Sequence, residues 1–247
     1  MKPLILSTYW ISRKLKALFR SSGYDIIRYL PTNLGSNPYL DMCTFLENSS
    51  ILNIIDAGSN LGESTSSFLD FFPDAQYYCF EPCKKSYIQL EKKFSSNHNI
   101  TVLNTGLSKD NEIIDFNENE FNFLSSYLPL GTYGYGDIVS TCRSSVISLD
   151  SFALQSKLSQ IHILKVDVCG FELNVLKGCS SLLVNNRIKL IHIQLSFTEI
   201  FKPSPSFMQI LSLLLNHNFV LIGIYRPHYQ NNQLSWTDAL LLNKSFK

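Results

Sequence analysis

The chain has almost no net charge, no long apolar run and no cysteine pattern of a metal site, and each absence excludes a class of protein. Its 21 Lys and Arg residues balance 20 Asp and Glu residues, giving a formal net charge of +1. Electrostatics therefore give no reason to expect nucleic acid as a partner. The apolar runs fall short of the roughly 18 residues that a membrane-spanning helix needs. The six cysteines form no C-x-x-C pair, so neither a zinc site nor a disulfide framework is predicted.

The N-terminal segment does not have the order of a secretory signal. Residues 3–11 are largely apolar, but a basic cluster follows them instead of preceding them. We therefore expect a cytoplasmic protein. That basic cluster comprises Arg13, Lys14, Lys16 and Arg20.

Residues 1–21 have a rough apolar stripe and are predicted to be helical. Such a helix fits peripheral contact with a membrane surface or docking of a partner, and it fits equally a packing arm on the domain, which the short stripe favours. The predicted organisation is an N-terminal helical extension over 1–49, with a helical stretch around 39–47, followed by one domain over 50–247. Nothing in the sequence indicates the oligomeric state.

From residue 52, strand-like runs alternate with helical stretches, which is typical of a parallel sheet covered by helices on both faces. Strands are predicted at 52–56, 76–80, 100–104, 161–167 and 189–195. Helices are predicted near 62–71, 84–95, 172–184 and 204–217. The predicted fold class is a doubly wound, mostly parallel, Rossmann-like α/β sheet.

The end of the chain lacks the crossover helix that a parallel pair of strands needs. The strand-like runs 219–225 and 239–242 are separated only by a polar loop, 226–236. We therefore expect an antiparallel C-terminal pair.

Poor periodicity between residues 105 and 148 indicates long loops around one short strand, 113–116. Tyr127, Tyr133 and Tyr135 in this segment are interpreted either as the lining of a substrate pocket or as surface residues.

The segment Asp56-Ala-Gly58-Ser59-Asn60-Leu-Gly62-Glu63 is the most informative part of the chain. An apolar run ends there in an acid and then in two glycines, which predicts a tight turn from a buried strand into a helix. Such a turn cradles a nucleotide-like cofactor, because glycine lets the backbone approach a ligand closely. An Asp-x-Gly turn that merely joins a strand to a helix is the alternative.

A second acid supports the cofactor interpretation. Glu81 and Pro82 follow the strand-like run 76–80, and an acid at the end of the second strand accepts hydrogen bonds from a ribose diol. Asn60 stands where a dinucleotide loop carries its second glycine, and a side chain there crowds a pyrophosphate. This favours S-adenosylmethionine over NAD as the cofactor.

A second strand ends in an acid and a glycine turn within Lys165-Val-Asp167-Val-Cys169-Gly170-Phe-Glu172. In a doubly wound sheet, the carboxyl end of such a strand lies over the ligand crevice, so Asp167 is predicted to face the site formed by Gly58 and Glu81. The alternative is that Asp167 caps the following helix.

The sequence resembles the FkbM family of methyltransferases, which have the class I S-adenosylmethionine-dependent fold. The resemblance covers about residues 50–243 and rests on DAGSNLGES at 56–64, CFEP at 79–82, SLDSF at 148–152, LKVDVCGFELNVLKG at 164–178 and the closing Asp238-Ala-Leu. It implies methyl transfer to a hydroxyl oxygen of a sugar, a glycan or glycolipid, or a secondary metabolite.

The resemblance also implies which residues hold the cofactor. Glu81 would hold the ribose, and Leu107 and Ser108 would lie near the adenine. The remaining cofactor-binding residues, from the glycine turn and the second strand end, are Asp56, Gly58, Ser59, Asn60, Gly62, Glu63 and Pro82.

Two positions depart from the family pattern. Cys169 and Gln194 stand where family members usually have acids. If those acids acted as a base or bound a cation, that role is lost or has moved to Asp167 and Glu172. If they only positioned substrate, the change alters specificity and spares the chemistry. A catalytically silent relative that retains cofactor or glycan binding is therefore the alternative to an active enzyme.

Methyl transfer to an alcohol needs a general base, and Asp167 is the predicted one, with Lys165 orienting it from the same strand face. Glu172 completes the predicted catalytic set. His162 and His192 lie within apolar runs and are interpreted as core or edge residues. No metal ligands are assigned, because a single carboxylate is thin support for a divalent cation.

Overall fold

The computed structural model describes residues 15, 17–22, 34–46, 52–203 and 205–246. Most of the predicted helix 1–21 lies outside these residues, and so does the choice between a surface helix and a packing arm. The described part of it is helical over 17–21, with Leu18 and Phe19 exposed. None of the helices in the described residues has the length and apolar character needed to cross a membrane.

Ten strands and seven α-helices follow one another along the described chain. The strands are β1 Asn53–Ala57, β2 Gln76–Phe80, β3 Ile100–Leu103, β4 Gly106–Leu107, β5 Glu112–Asn119, β6 Ile138–Ile147, β7 Ile161–Val166, β8 Ile188–Ser196, β9 Phe219–Gln230 and β10 Gln233–Asn243. The helices are α1 Pro38–Leu46, α2 Glu63–Phe71, α3 Lys84–Phe94, α4 Leu149–Gln155, α5 Glu172–Lys177, α6 Ser180–Val184 and α7 Phe207–Asn216.

Seven strands form the central sheet in the order β3-β2-β1-β7-β8-β10-β9. The five strands from β3 to β8 are parallel, whereas β10 pairs antiparallel with both β8 and β9. The chain moves outward from β1 through β2 to β3 and then returns to β7 on the other side of β1. This reversal creates a crevice at the carboxyl ends of β1 and β7, where doubly wound folds bind their ligands. The predicted fold class is confirmed.

Alternating side chains of the buried strands pack on the two faces of the sheet. On one face, Ile55 and Leu164 belong to a core cluster with residues of α4, α5, α6 and α7. On the other face, Ile54 and Ile163 pack with residues of α1, α2 and α3. Fully apolar strands such as β1 and β7 are therefore explained by burial on both sides.

Helix α1 belongs to the packed unit. The Tyr39 ring stacks on Phe71 at 5.3 Å between centroids, and the buried Tyr225 hydroxyl donates a 2.5 Å hydrogen bond to Asp41 Oδ2. The predicted boundary at residue 50 thus falls inside one continuous core.

The structure corrects three local predictions. The predicted polar loop 226–236 is wrong, because β9 and β10 run through it to a tight turn at Asn231 and Asn232, whose φ angles of 49° and 60° suit a hairpin turn. The predicted helix 172–184 is two helices, α5 and α6, with Gly178 at the break, where a Cβ would stand 1.9 Å from Ser108 O. The segment 105–148 contains a second sheet, β4-β6-β5.

Candidate active site

The turn after β1 is held in a conformation that few side chains tolerate. Gly58, Asn60 and Gly62 have φ angles of 79°, 46° and 76°, and asparagine is among the few non-glycine residues that adopt this region. A Cβ on Gly58 would lie 1.9 Å from the carbonyl oxygen of Asp167. Glycine is therefore required at position 58 because the turns after β1 and β7 approach each other closely.

Asp56 lies beneath this turn and is fully buried. Its Oδ2 accepts hydrogen bonds from Ser64 Oγ at 2.8 Å and Thr65 Oγ1 at 2.7 Å, and its Oδ1 lies 3.1 Å from Lys165 Nζ. The carboxylate therefore anchors the start of α2 and is turned away from a ligand. Asp56 was predicted to line the cofactor site, and its observed position supports an indirect role.

Lys165 joins the two strand ends. Its Nζ donates a 3.0 Å hydrogen bond to Gly58 O and lies 3.7 Å from Asp167 Oδ2 as well as close to Asp56. Burial alone would lower the pKa of Lys165, but Asp56 and Asp167 together hold this pKa above its ordinary value. The side chain is therefore a cation that orients Asp167, as the sequence predicts.

Glu81 connects the end of β2 to the glycine turn. Its Oε2 accepts the Asn60 N–H at 2.7 Å, and its Oε1 accepts the Cys83 N–H at 2.8 Å. Burial raises the pKa of Glu81 to about 7, although both N–H groups favour the ionised form. Each carboxylate oxygen has capacity for a further hydrogen bond, so a ribose diol can be accepted here.

The larger cavity of the crevice, which we call the polar cavity, has a volume of about 320 Å³ and lies over the ends of β1 and β7. Four residues predicted for the cofactor line it: Gly58, Ser59, Asn60 and Glu63. The sequence analysis did not assign five other lining residues to the site: Tyr39, His192, Gln194, Arg226 and Asp238.

A second cavity of about 90 Å³, the apolar cavity, adjoins the first and shares Gly58, Asn60 and Asp167 with it. Glu81 and Pro82 stand at its edge. Its other walls are mainly apolar and come from the strand ends and the second sheet: Phe80, Leu107, Phe116, Phe123 and Tyr127. Of the three tyrosines considered from the sequence, Tyr127 lines this cavity.

Asp167 stands where the cavities meet. It lines the polar cavity, the apolar cavity and a third cavity of about 120 Å³, and 41% of its side chain is exposed. It does not cap α5, because the carboxylate of Glu172 accepts the N–H groups of Val168 and Gly170 instead, at 3.3 Å and 3.1 Å. Asp167 is therefore free to meet a ligand.

Four predicted site residues lie behind the cavity walls: Asp56, Gly62, Ser108 and Glu172. Glu172 is buried and holds the turn over 168–170, a position that favours a positioning role over contact with substrate. Gly62 packs against α3, because a Cβ there would lie 2.5 Å from the Phe94 ring. Ser108 is buried next to the end of α5.

Two unassigned residues give the polar cavity its electrostatic character. Burial, followed by the neighbouring Asp167, raises the pKa of Asp238 to about 6, while Arg226 and Lys165 act in the opposite direction. Burial, followed by Lys165, lowers the pKa of His192 to about 3. His192 is thus a neutral imidazole at physiological pH, and Asp238 is a carboxylate poised near neutrality.

Both residues could have been placed only with the pairing of β8 and β10 in hand. Asp238 is paired with Gln194 across these antiparallel strands, and His192 precedes Gln194 by two residues and so shares its face. The interpretation of His162 as a core residue agrees with the structure, where its Nδ1 accepts the Asn53 N–H at 3.0 Å. For His192 that interpretation misses the cavity wall.

The residues present fit S-adenosylmethionine. His192 Nε2 is buried on the wall of the polar cavity with no hydrogen-bond partner among the described residues, which indicates a polar ligand there. The Arg226 guanidinium makes no hydrogen bond within the described part of the chain and suits a ligand carboxylate. The apolar cavity, with Glu81 at its edge, suits an adenine and its ribose.

The described residues contain no group of three or more His, Cys, Asp or Glu side chains arranged to hold a metal ion. The crevice is therefore described through its side chains alone.

Comparison with known proteins agrees with this geometry. Residues 56–221 match the methyltransferase FkbM domain family. The chain is also similar to the 2-O-methyltransferase NoeI of Sinorhizobium fredii, with 24% identity over 178 residues that cover 68% of this chain and 72% of that protein.

Solved structures with a related fold include two methyltransferases. An rRNA methylase from Streptococcus thermophilus has 14% identity and a TM-score of 0.46, with 84% of this chain and 97% of that chain covered. The N-methyltransferase NodS of Bradyrhizobium japonicum has 8% identity and a TM-score of 0.47, with 85% and 89% covered.

Proposed function

We propose that this chain, which belongs to the methyltransferase FkbM domain family and is an S-adenosylmethionine-dependent methyltransferase, methylates a hydroxyl oxygen of a small-molecule or glycan acceptor. The similarity to a 2-O-methyltransferase supports oxygen as the accepting atom. The acceptor classes that we consider are a sugar, a glycan or glycolipid, and a secondary metabolite.

The observation that carries this proposal is the position of Asp167. Its partly exposed carboxylate borders all three cavities, and the Lys165 ammonium lies 3.7 Å from Oδ2 on the protein side. A carboxylate in that place can accept a hydrogen bond from an acceptor hydroxyl and then take its proton. An alcohol is a poor nucleophile until that proton is withdrawn, so a base is required.

When bound, S-adenosylmethionine supplies an electrophilic methyl group on a sulfonium. The protein's own contribution is orientation, which can supply a large part of the rate acceleration in such a displacement. Glu81 would hold the ribose and the walls of the apolar cavity the adenine, while Arg226 and His192 would meet the amino-acid end. The close approach of Gly58 to Asp167 then sets the position of the base relative to the bound cofactor.

Asp238 is the second candidate for the base, because it lines the same polar cavity and its pKa is raised to about 6. Asp167 is preferred because it also borders the third cavity, whereas Asp238 lines only the polar one. The two roles are separable by comparing Asp167→Asn with Asp238→Asn. The base variant loses methyl transfer at every pH, and the other keeps it with an altered pH profile.

The alternative of a catalytically silent relative rests on Cys169 and Gln194. The Cys169 thiol donates to Phe123 O at 3.1 Å, and Gln194 lines the crevice, yet Asp167 and Asp238 still supply two carboxylates there. The loss of two family acids therefore leaves a candidate base in place. Use of NAD, the third hypothesis, does not agree with the family to which the chain belongs.

The experiment is methyl transfer from S-adenosylmethionine labelled in the methyl group to fractionated lipids, glycans and small metabolites. We expect label in at least one fraction with the wild-type protein. Asp167→Asn should reduce transfer by about 100-fold or more while the dissociation constant for S-adenosylhomocysteine, measured by calorimetry, changes little.

Asp110→Asn is the matched control, because this exposed aspartate pairs only with Lys109 on the surface and its replacement should leave transfer unchanged. Label in no fraction, together with normal cofactor binding, would favour the silent relative. Normal transfer by Asp167→Asn would assign the base elsewhere.

A further inference from the structure

The third cavity adjoins the proposed base but is distinct from the cofactor cavities. It has a volume of about 120 Å³ and shares Asp167 and Phe123 with both cofactor cavities and Gln194 with the polar one. Its remaining walls come from outside the glycine turn, from the segment over 121–135, from the loop after β8 and from the start of β10. A ligand here reaches Asp167 without passing the positions assigned to the cofactor.

The walls of this cavity are flat aromatic rings with fixed orientations. The Trp236 indole is stacked on His228, with 4.7 Å between centroids and 12° between planes. Phe123 and Tyr135, which are 57% and 40% exposed, form the outer rim, and both pack against Phe121 at 5.8 Å and 5.6 Å. Rigid, amphipathic rings offer contact area at little cost in conformational entropy.

The polar groups of the cavity are few and lie on one wall. The Gln194 side-chain amide makes no hydrogen bond within the described residues, so its N–H₂ and its C=O are both available to a ligand. The Asp167 carboxylate beside it is an acceptor. The Cys169 thiol, by contrast, already donates to Phe123 O. The wall therefore offers one donor group and two acceptor groups in a small area.

This combination selects among acceptor chemistries. A wholly apolar alcohol would leave the Gln194 amide without a partner, which costs free energy. An anionic acceptor would meet Asp167 with no free cation in the cavity wall, because Lys165 is already held by Asp56 and Gly58. A neutral pyranose has both an apolar C–H face for the rings and adjacent hydroxyls for the amide and the carboxylate.

We propose that the cavity bounded by Trp236, Phe123, Tyr135, Gln194 and Asp167 is the acceptor subsite and that it takes a neutral pyranose ring. The ring packs on Trp236, Gln194 bridges one hydroxyl, and the adjacent hydroxyl, which is the one methylated, faces Asp167. This inference rests on the proposed function and names the substrate class and the specificity residue for it.

The test uses the two tryptophans of the chain, Trp10 and Trp236. Trp10→Phe leaves Trp236 as the sole fluorophore. The full-length variant, saturated with S-adenosylhomocysteine, is titrated with the methyl glycosides of glucose, galactose, mannose and N-acetylglucosamine. Cyclohexanol, which lacks the second hydroxyl, and glucuronate, which is charged, are the comparison probes.

We expect a saturable change in Trp236 emission with at least one methyl glycoside and none with glucuronate. Cyclohexanol should bind at least tenfold more weakly, because a site built to bond hydroxyls rejects analogues that lack them. Gln194→Ala should weaken glycoside binding by at least tenfold and leave cyclohexanol unaffected. Gln155→Ala, on the exposed end of α4, should change neither.

The proposal is overturned if no glycoside changes Trp236 emission, if cyclohexanol binds as well as the glycosides, or if glucuronate binds best. Calorimetry with S-adenosylhomocysteine keeps this failure apart from failure of the proposed function. Normal cofactor binding without a glycoside response rejects only the subsite, whereas absent cofactor binding rejects the enzymatic assignment as a whole.

Discussion

The backbone N–H of Asn60 donates a 2.7 Å hydrogen bond to Oε2 of Glu81. This bond joins the glycine turn after β1 to the acid at the end of β2, so two features that are separate in the sequence form one unit in the fold. The same carboxylate that is assigned to the ribose therefore also fixes the turn that faces the rest of the cofactor. Removing its charge should affect both.

Replacing Glu81 by glutamine should weaken binding of S-adenosylhomocysteine by at least tenfold, or about 1.4 kcal/mol. The variant keeps one side-chain oxygen for the Asn60 or Cys83 N–H, but its amide nitrogen cannot accept the second hydrogen bond. Calorimetric titration measures the change. Glu91→Gln is the matched control, because Glu91 lies on the exposed face of α3 and bonds only Tyr87. Equal affinities in Glu81→Gln and the control would remove Glu81 from the cofactor site.

The sequence was sufficient to predict the parallel core of the sheet and its site-facing turns. Strand β2 has the predicted limits, and β1 and β7 agree to within a residue or two, because a strand buried on both faces is an uninterrupted apolar run between turn residues. Gly58 and Asp167 were placed at one crevice because parallel strands on either side of a reversal point end at the same edge.

What the sequence could not supply was pairing between distant segments. The hairpin of β9 and β10 was missed because its ends are polar, as exposed antiparallel strands are, and the Asn231-Asn232 turn lacks glycine. With that hairpin went Arg226 and Asp238, whose place in the crevice depends on its register. Asp56 and Glu172 were assigned to ligand contact because an acid at a strand end does not reveal which way it turns.

Gly58→Ala should destabilise the protein by more than strain of the backbone alone. Its φ of +79° costs an alanine about 1–2 kcal/mol, and its Cβ would also lie 1.9 Å from Asp167 O. Gly35→Ala is the control, because Gly35 has a φ of +90° and nothing within 4 Å of its Cβ position. Urea unfolding should show the larger loss for Gly58→Ala. Equal losses in the two variants would mean that the turns after β1 and β7 do not pack as described.

The pH dependence of stability should report on Glu172, whose pKa is raised by burial from 4.5 to about 7. Between these two pH values the unfolded chain has lost the proton and the folded protein keeps it, so the free energy of unfolding falls as pH rises through this window. Glu172→Gln cannot titrate, and its side-chain oxygen can still accept the Val168 and Gly170 N–H groups.

We therefore expect Glu172→Gln to gain on the wild type by about 1 kcal/mol or more when urea unfolding at pH 7.5 is compared with pH 4.5. Glu112→Gln, at an exposed position of β5, should follow the wild type at both pH values. Identical pH slopes for Glu172→Gln and the wild type would show that this carboxyl is not shifted by burial.

Asp167 and Asp238 should titrate as neighbours. Burial comes first and Asp167 second among the causes that raise the pKa of Asp238 to about 6, so Asp167→Asn should lower the Asp238 pKa. Carboxyl carbon NMR with labelled aspartate follows this titration directly and needs no acceptor. Asp110→Asn, at a surface turn, should leave it where it is. An Asp238 pKa unaffected by Asp167→Asn would place the two carboxylates too far apart to share one acceptor hydroxyl.

The hydrogen bond from Tyr225 to Asp41 should be one of the main links between α1 and the sheet. Both side chains are buried, and Asp41 Oδ2 also accepts the Gly35 N–H at 2.7 Å. Tyr225→Phe keeps the ring and removes only the hydroxyl, which leaves a buried carboxylate with one fewer donor. Hydrogen bonds to charged groups contribute about 1.5–3 kcal/mol, so a loss of this size in the free energy of unfolding is expected.

Tyr229→Phe gives the matched comparison, because Tyr229 lies on the same strand β9 and is 68% exposed. Its replacement should change stability by less than about 0.5 kcal/mol. Since Tyr39 of α1 lines the polar cavity, loosening α1 should also weaken binding of S-adenosylhomocysteine in Tyr225→Phe but not in Tyr229→Phe. If both variants unfold at the same urea concentration, α1 is held by its aromatic packing against α2 and not by this hydrogen bond. If only cofactor affinity is unchanged, α1 stabilises the fold without shaping the crevice.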